Sequence, residues 1–191
     1  MKQIKIASAI ALTLGLAIAG SVNAADSGGT ITFTGSVTDA TCTVTGGAGT
    51  SGGTGNFSVA LDEVEASVLS AAGVVANPKE FDVVIGGPGQ GTCENGKVAS
   101  MTFLQSSIYV DAATGALSNA LSGEATNTQI QLLTGGTTGA AINLAAGTYA
   151  ATATIANNTA TIPFGVQYLT VNGPATPGLV STNVVYSVAY N

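Results

Sequence analysis

Two alternating segments constrain what this chain can fold into more than any other feature. In one, Val184, Tyr186, Val188 and Tyr190 recur at every second position, and Asn191 follows. In the other, Ile31, Phe33, Gly35 and Val37 do the same. A period of two places such residues on one face of a β-strand and their neighbours on the other. The C-terminal segment reads as a half-buried strand with no polar tail and no following segment to pair with its outer edge. Proteins usually cover such edges. A strand from a neighbouring molecule would cover this one, and Ile31 to Val37 has a suitable pattern. On pattern alone, Ile31 to Val37 reads equally well as the first strand of a complete monomeric sandwich.

The rest of the chain supports an all-β reading. Apolar residues make up 46% of the sequence, in short runs rich in Val, Ile and Thr, and 26 glycines punctuate them. Hydrophobicity at that level argues against disorder despite the low charge content. Strands are expected at residues 30–37, 41–45, 56–61, 81–85, 98–104, 106–110, 128–133, 149–155, 159–168 and 182–190. Asn157-Asn158 has the composition of a hairpin turn. Residues 46–55 (GGAGTSGGTG) read as a loop with no packing capacity, and residues 112–125 as a surface loop. Residues 62–72 (DEVEASVLSAA) give the one helix expectation, with an acidic first turn and Gly73 to end it. Many short strands at short spacing, with no dividing linker, predict a single sandwich domain.

Residues 1–24 read as a secretory signal. Lys2 and Lys5 precede an apolar run over residues 6–19, and Val22-Asn23-Ala24 supplies small residues for cleavage. The apolar run falls short of the ~20 residues that span a membrane, so an exported soluble protein is expected. Removing 24 of 191 residues leaves 167, enough for a sizeable core. In that remainder Lys79 and Lys97 stand against ten acidic residues, a side-chain difference of −8. Such a balance cannot meet nucleic-acid phosphates or an anionic membrane surface. Export makes one disulfide the default for Cys42 and Cys93, with two free thiols or a metal site as the rival reading. A bridge would close a loop of about 50 residues, worth roughly 4 kcal/mol on the chain-entropy account.

The sequence offers little for catalysis. It has no His, which removes His-based triads and the commonest metal ligand, and no Arg for bidentate anion clamps. Carboxylates cluster at Asp62-Glu63-Glu65 and at Glu80-Asp82, where a solvated surface explains them better than a paired acid and base. Gly47, Gly49 and Gly52 fit a phosphate-loop spacing but lack the helix that gives it meaning. The run Gly91 to Lys97 has Val98 where a phosphate loop needs Ser or Thr. No catalytic residue, metal or cofactor is expected.

Three stretches carry a resemblance. These are GTITFTGSVTDATCTV (residues 29–44), ATNTQIQLLTGGTTGAAINL (residues 125–144) and NTATIPFGVQYLTVNGPATPGLVSTNVVYSVAYN (residues 158–191). Together they resemble the chaperone–usher pilins of the type 1 fimbrial family, most specifically in TIPF with Tyr168, in the PATPG turn and in the penultimate Tyr190. Residues 46–124 depart from the family's shorter cysteine spacing. The resemblance implies an incomplete immunoglobulin-like sandwich lacking its last strand. It divides the chain into a signal (1–24), a donor-strand extension (25–38) and a pilin domain (39–191). It implies that Ile31, Phe33, Gly35 and Val37 enter the groove of another subunit. Val184, Tyr186, Val188, Tyr190 and Asn191 would form the acceptor wall and the chaperone-binding end. The partners implied are like subunits, a periplasmic chaperone and an outer-membrane usher, with any host receptor unspecified. The product would be an adhesive fimbria outside a Gram-negative cell. The alternative is a minor or tip subunit, or a glycan-binding adhesin.

Overall fold

The computed structural model describes residues 41–191. The expected signal and the segment bearing Ile31, Phe33, Gly35 and Val37 lie outside the described residues. Two antiparallel sheets face each other. In the first, β1 (Val44–Gly46), β2 (Val75–Gly86), β7 (Thr159–Thr170), β5 (Thr128–Thr134) and β4 (Leu117–Ser118) pair in the order β1-β2-β7-β5-β4. In the second, β6 (Ala150–Thr154), β3 (Val98–Phe103) and β8 (Tyr186–Tyr190) pair in the order β6-β3-β8. The core forms between them because each inner strand turns alternate apolar residues to it. These are Phe81, Val83 and Ile85 of β2, Ala99, Met101 and Phe103 of β3, and Ile162, Phe164 and Val166 of β7. Phe164 is fully buried and stacks on Phe81 at 5.5 Å between centroids. It meets the edge of Phe103, from the opposite sheet, at 5.1 Å. Aromatic pairs of this geometry add to simple burial and tie the two layers together.

Two prolines test the strand assignments, since proline cannot donate to a ladder. Pro78 sits where the register of β2 against β7 slips between Ala76 and Lys79, beside Asn77 with φ 48°. That bulge removes the need for its N–H. Pro163 lies inside β7, opposite Asp82. The Gly87 N–H bonds the Asn158 carbonyl, so residues opposite one another at Ile85 and Ala160, two steps along, share the bonded pairing. Asp82 and Pro163 are therefore a non-bonded pair, and the Pro163 nitrogen points away from β2. On that side β5 ends at the Thr134–Phe164 pair, so no ladder bond is lost.

Several sequence expectations need correction. Residues 62–72 form no helix, only separate turns closed by Val68 N–H to Glu65 O and Leu69 N–H to Ala66 O. Their carbonyls are taken from outside: Tyr168 Oη bonds Asp62 O, Asn77 Nδ2 bonds Glu63 O and Thr170 Oγ1 bonds Ala71 O. Residues 106–110 are turns rather than a strand, and residues 112–125 are not a plain surface loop, since Ala116 and Leu117 are buried and β4 pairs with β5. The glycine-rich residues 46–55 pack closely. Gly47 N–H bonds Asp82 O, Asp82 N–H bonds Ala48 O, and a Cβ on Gly49 would lie 2.2 Å from Glu80 O. Absence of side chains is what lets that backbone extend β1 along β2. The expected turn at Asn157-Asn158 is present, with φ of 53° and 61° and reciprocal bonds between Ala156 and Thr159, the primed geometry that suits twisted strands.

A candidate acceptor groove

The sandwich is open along one side. A groove of about 680 Å³ runs between two extended stretches, residues 55–61 and residues 180–186. Its floor comes from both sheets and is apolar: Phe81, Met101, Phe103, Leu117, Ile130, Leu132 and Val166. These side chains are at the centre of the core cluster, so the groove is a missing slice of core rather than a surface dent.

Among the described residues, each wall carries backbone groups without a partner. On one side Phe57, Val59 and Leu61 are half-buried while Ser58 and Ala60 are exposed, as in a strand. Between Phe57 and Leu61, among the described residues, only Ser58 is anchored, its N–H to Ser51 Oγ and its carbonyl to Ser51 N–H. The sequence expectation of a strand here is corrected: the pleat is present, but no partner strand lies among the described residues. On the other side, among the described residues, β8 pairs with β3 only. Asn191 and Val98 exchange both backbone bonds. Antiparallel pairing alternates, so Ala189 and Ser187 also bond toward β3, while Tyr186, Val188 and Tyr190 turn their N–H and C=O groups to the open edge. The same three residues point their side chains inward.

One tyrosine of β8 bridges to the other wall and a second bonds Cys42. Tyr186 Oη donates to Gly55 O at 2.5 Å and its ring lies 6.0 Å from that of Phe57. Tyr190 Oη donates to Cys42 O at 3.3 Å. Tyr168 Oη, at the groove floor, donates to Asp62 O at 3.2 Å. Burial raises the pKa of all three hydroxyls; the charges of Asp62 and Glu63 add to this at Tyr168, and Tyr186 adds to it at Tyr190. They therefore stay protonated donors. Cys42 and Cys93 form a disulfide with Cα atoms 4.7 Å apart, closing the loop that contains the first wall.

Of the residues singled out in sequence, Val184 and Tyr186 line the groove. Val188 and Tyr190 continue the same face of β8, and Asn191 is engaged with β3 through Val98. Residues 55–61, Val180 and Thr182 were not singled out, though the alternation of Phe57, Val59 and Leu61 is a usable signal. A smaller polar cleft of about 270 Å³ lies between residues 118–129 and residues 171–172. Its groups are occupied in holding loops, with Asn119 Nδ2 on Leu179 O and Glu124 Oε2 on the Leu179 N–H.

No family profile matches the chain. Curated relatives and solved structures do. The chain is 30% identical over 190 residues to the S-fimbrial protein subunit SfaA of Escherichia coli O6:K15:H31, covering 100% of this chain and 98% of the relative. It is 39% identical to the type-1 fimbrial protein A chain of Escherichia coli K12 over 75 residues, which is 39% of this chain and 40% of that relative. Among structures, a type I fimbria protein of Burkholderia pseudomallei superposes with a TM-score of 0.52 at 22% identity, over 70% of this chain and 81% of the other. A subunit of a chaperone–usher pilus superposes with a TM-score of 0.54 at 17% identity, over 87% and 97%. At those identities the superpositions establish the fold alone: an all-β, immunoglobulin-like pilin sandwich. The relative matched over 98% of its length shows the family: this chain belongs to the fimbrial subunit family.

Proposed function

We propose that this chain is a structural pilin that polymerises head to tail, each subunit completing the sandwich of the next with its N-terminal segment. The observation that carries the reading is the groove: an apolar slot through the core, flanked by two rows of free backbone groups. An inserted strand would satisfy both rows and bury alternate side chains, which is how β-augmentation obtains affinity and specificity. Ile31, Phe33 and Val37 of a second copy are the side chains proposed to enter, with Gly35 at a shallow position. Val184, Tyr186, Val188 and Tyr190 are the proposed acceptor edge, with Asn191 at the chaperone-binding end. A contact between unlike surfaces does not close on itself, so it produces a filament. Before assembly the same edge needs a temporary cover. A periplasmic chaperone is the proposed cover, an outer-membrane usher the proposed site of exchange, and the cell surface the destination. The proposed role is mechanical and adhesive, not enzymatic.

The test compares residues 25–191 with the same chain carrying residues 25–41 repeated after Asn191 through a flexible linker. An appended strand that fills the groove should give a monomer whose midpoint is raised by more than ~10 °C, the shift that about 3–5 kcal/mol gives a domain of this size. A parent that is already a stable monomer, unchanged by the repeat, would overturn the reading in favour of a free-standing binding domain.

A further inference from the structure

Among the described residues, none of the exposed large apolar side chains lies at the Cys42–Cys93 end of the sandwich. Four gather at the opposite end: Val68, Val75, Leu121 and Leu179, with Leu179 67% exposed. Hydrogen bonds join the loops that carry them. Ala175 N–H bonds Leu69 O, Gly73 N–H bonds Thr170 O and Ala125 N–H bonds Leu179 O. Asn119 Nδ2 bonds Leu179 O, and Asn119 Oδ1 receives the Leu121 N–H. The other two, Ile108 and Val185, lie together beside the second wall, where Ser107 Oγ receives the Val185 N–H. A single exposed aliphatic residue needs no reason, but four at one end do. That end also holds one mouth of the groove, between Leu61 and Val180, where Tyr168 Oη donates to Asp62 O. The described chain begins at the other end. There Thr41 N–H bonds Thr92 O, and the Thr41 carbonyl receives Gln90 Nε2. β7 joins the two ends, from Thr159 to Thr170, and its 12 residues span about 37 Å.

We propose that this apolar end is a second contact between copies, covered by the Cys42–Cys93 end of the copy whose N-terminal segment fills the groove. This rests on the groove reading above and adds a domain-to-domain surface to it. Only residues 38–41 separate Val37, the last side chain proposed to enter, from Cys42. Five steps of extended chain reach at most about 18 Å, half the length of the sandwich. The donating domain therefore cannot stand clear of the accepting one and abuts the mouth that Val37 occupies. Toward the end of β8, the accepting chain's own Thr41 and Cys42 are in the way, bonded to Thr92 and Tyr190. The mouth between Leu61 and Val180 opens instead at the end where Val68, Leu121 and Leu179 stand exposed. An arriving domain takes those side chains out of water, which adds affinity to that of the strand. It also fixes the angle between successive domains, which a strand on a four-residue tether would leave free.

The test separates the two contacts. Val68→Thr with Leu179→Gln removes apolar surface at nearly constant size. The pair is made in residues 25–191 and in the version with residues 25–41 appended. The appended monomer should keep its folding equilibrium within about twofold, because both positions are exposed. Chains of residues 25–191 should associate about tenfold more weakly in light scattering across a dilution series, the ratio that burial of an aliphatic side chain carries. A second measurement reports which ends meet. Leu179→Cys with Ala156→Cys, both exposed, should give covalent multimers on a denaturing gel after treatment with a short bis-maleimide. Unchanged association of the first pair, or chains that form without such multimers, would overturn the proposal. So would dimers from Ala156→Cys alone, which would put two Cys42–Cys93 ends together. Each of these leaves the groove reading standing. If residues 25–191 form no chains and the appended strand stabilises nothing, the groove reading falls and this inference falls with it.

Discussion

Removing the Cys42–Cys93 bridge should cost this domain a large part of its stability. The two cysteines are 51 residues apart in sequence. Freeing a loop of that length returns entropy to the unfolded chain worth about 4 kcal/mol. The replacement residue matters as well. Cys93 is fully buried, and its sulfur lies close enough to Gly86 that a Cβ there would be 2.6 Å away. Alanine at 93 opens a small void, whereas serine buries a hydroxyl at a cost of about 1–3 kcal/mol. The informative variant is therefore Cys42→Ala with Cys93→Ala, compared with the parent in oxidised and reduced form. Guanidinium unfolding should show a loss of about 4–5 kcal/mol in a domain whose total is of order 5–15 kcal/mol. The m-value should rise, because an unbridged denatured chain exposes more surface. The consequence for assembly is separate. The closed loop contains the wall at residues 55–61, and the Cys42 carbonyl receives the Tyr190 hydroxyl. An appended donor strand should therefore stabilise the double-alanine chain less than the parent. A loss under ~1 kcal/mol with an unchanged m-value would refute the loop-entropy argument.

Phe164→Ala, which removes the contacts to both Phe81 and Phe103, should destabilise by about 3–5 kcal/mol in thermal or denaturant unfolding. Asp111 has its pKa lowered from 3.8, first by the Thr114 and Ala113 backbone N–H groups and then by Gln129. A depressed carboxylate stabilises the fold above its unfolded pKa and loses that contribution as pH falls through the folded value. Asp111→Asn should thus be less stable than the parent at pH 7, with the gap closing in unfolding curves taken below pH 3.8. On β8, Val188→Lys should abolish stabilisation by an appended donor strand, because the side chain faces the core. Ala189→Lys, on the exposed face, should leave it within ~0.5 kcal/mol.

Strands buried on an alternating pattern were legible in the sequence. The pattern at Ala99, Met101 and Phe103, and at Ile162, Phe164 and Val166, is dictated by facing layers and survives folding unchanged. Residues 62–72 were misread because helix propensity and an acidic first turn describe a free segment. In the fold, Tyr168, Asn77 and Thr170 claim its carbonyls and Leu69 is buried where a helix was expected. Leu117 was missed because a two-residue strand has no periodicity to detect. The groove was half legible. Tyr186 and Val184 announced one wall by alternation, whereas the other wall looked like any strand. Its lack of a partner is a property of the whole sandwich, not of residues 55–61.

Charge placement along the edges adds an argument about what the exposed rows are for. A protein that must keep a sheet edge free of partners places lysine, proline or a bulge on it. Here the bulge at Pro78 lies in the β2–β7 ladder, inside the sheet, and guards no outer edge. The edge strand β8, Tyr-Ser-Val-Ala-Tyr, has no charge, no proline and no bulge, and its partner ladder to β3 is continuous from Phe103 to Ala99. The facing wall, Phe57 to Leu61, is equally bare. Both unprotected edges border the same apolar groove, and the Tyr186 bond to Gly55 links its two sides. An edge left open by accident would be a hazard in a chain of low charge. Two of them, facing each other across an apolar groove, are what the proposed socket for one strand requires.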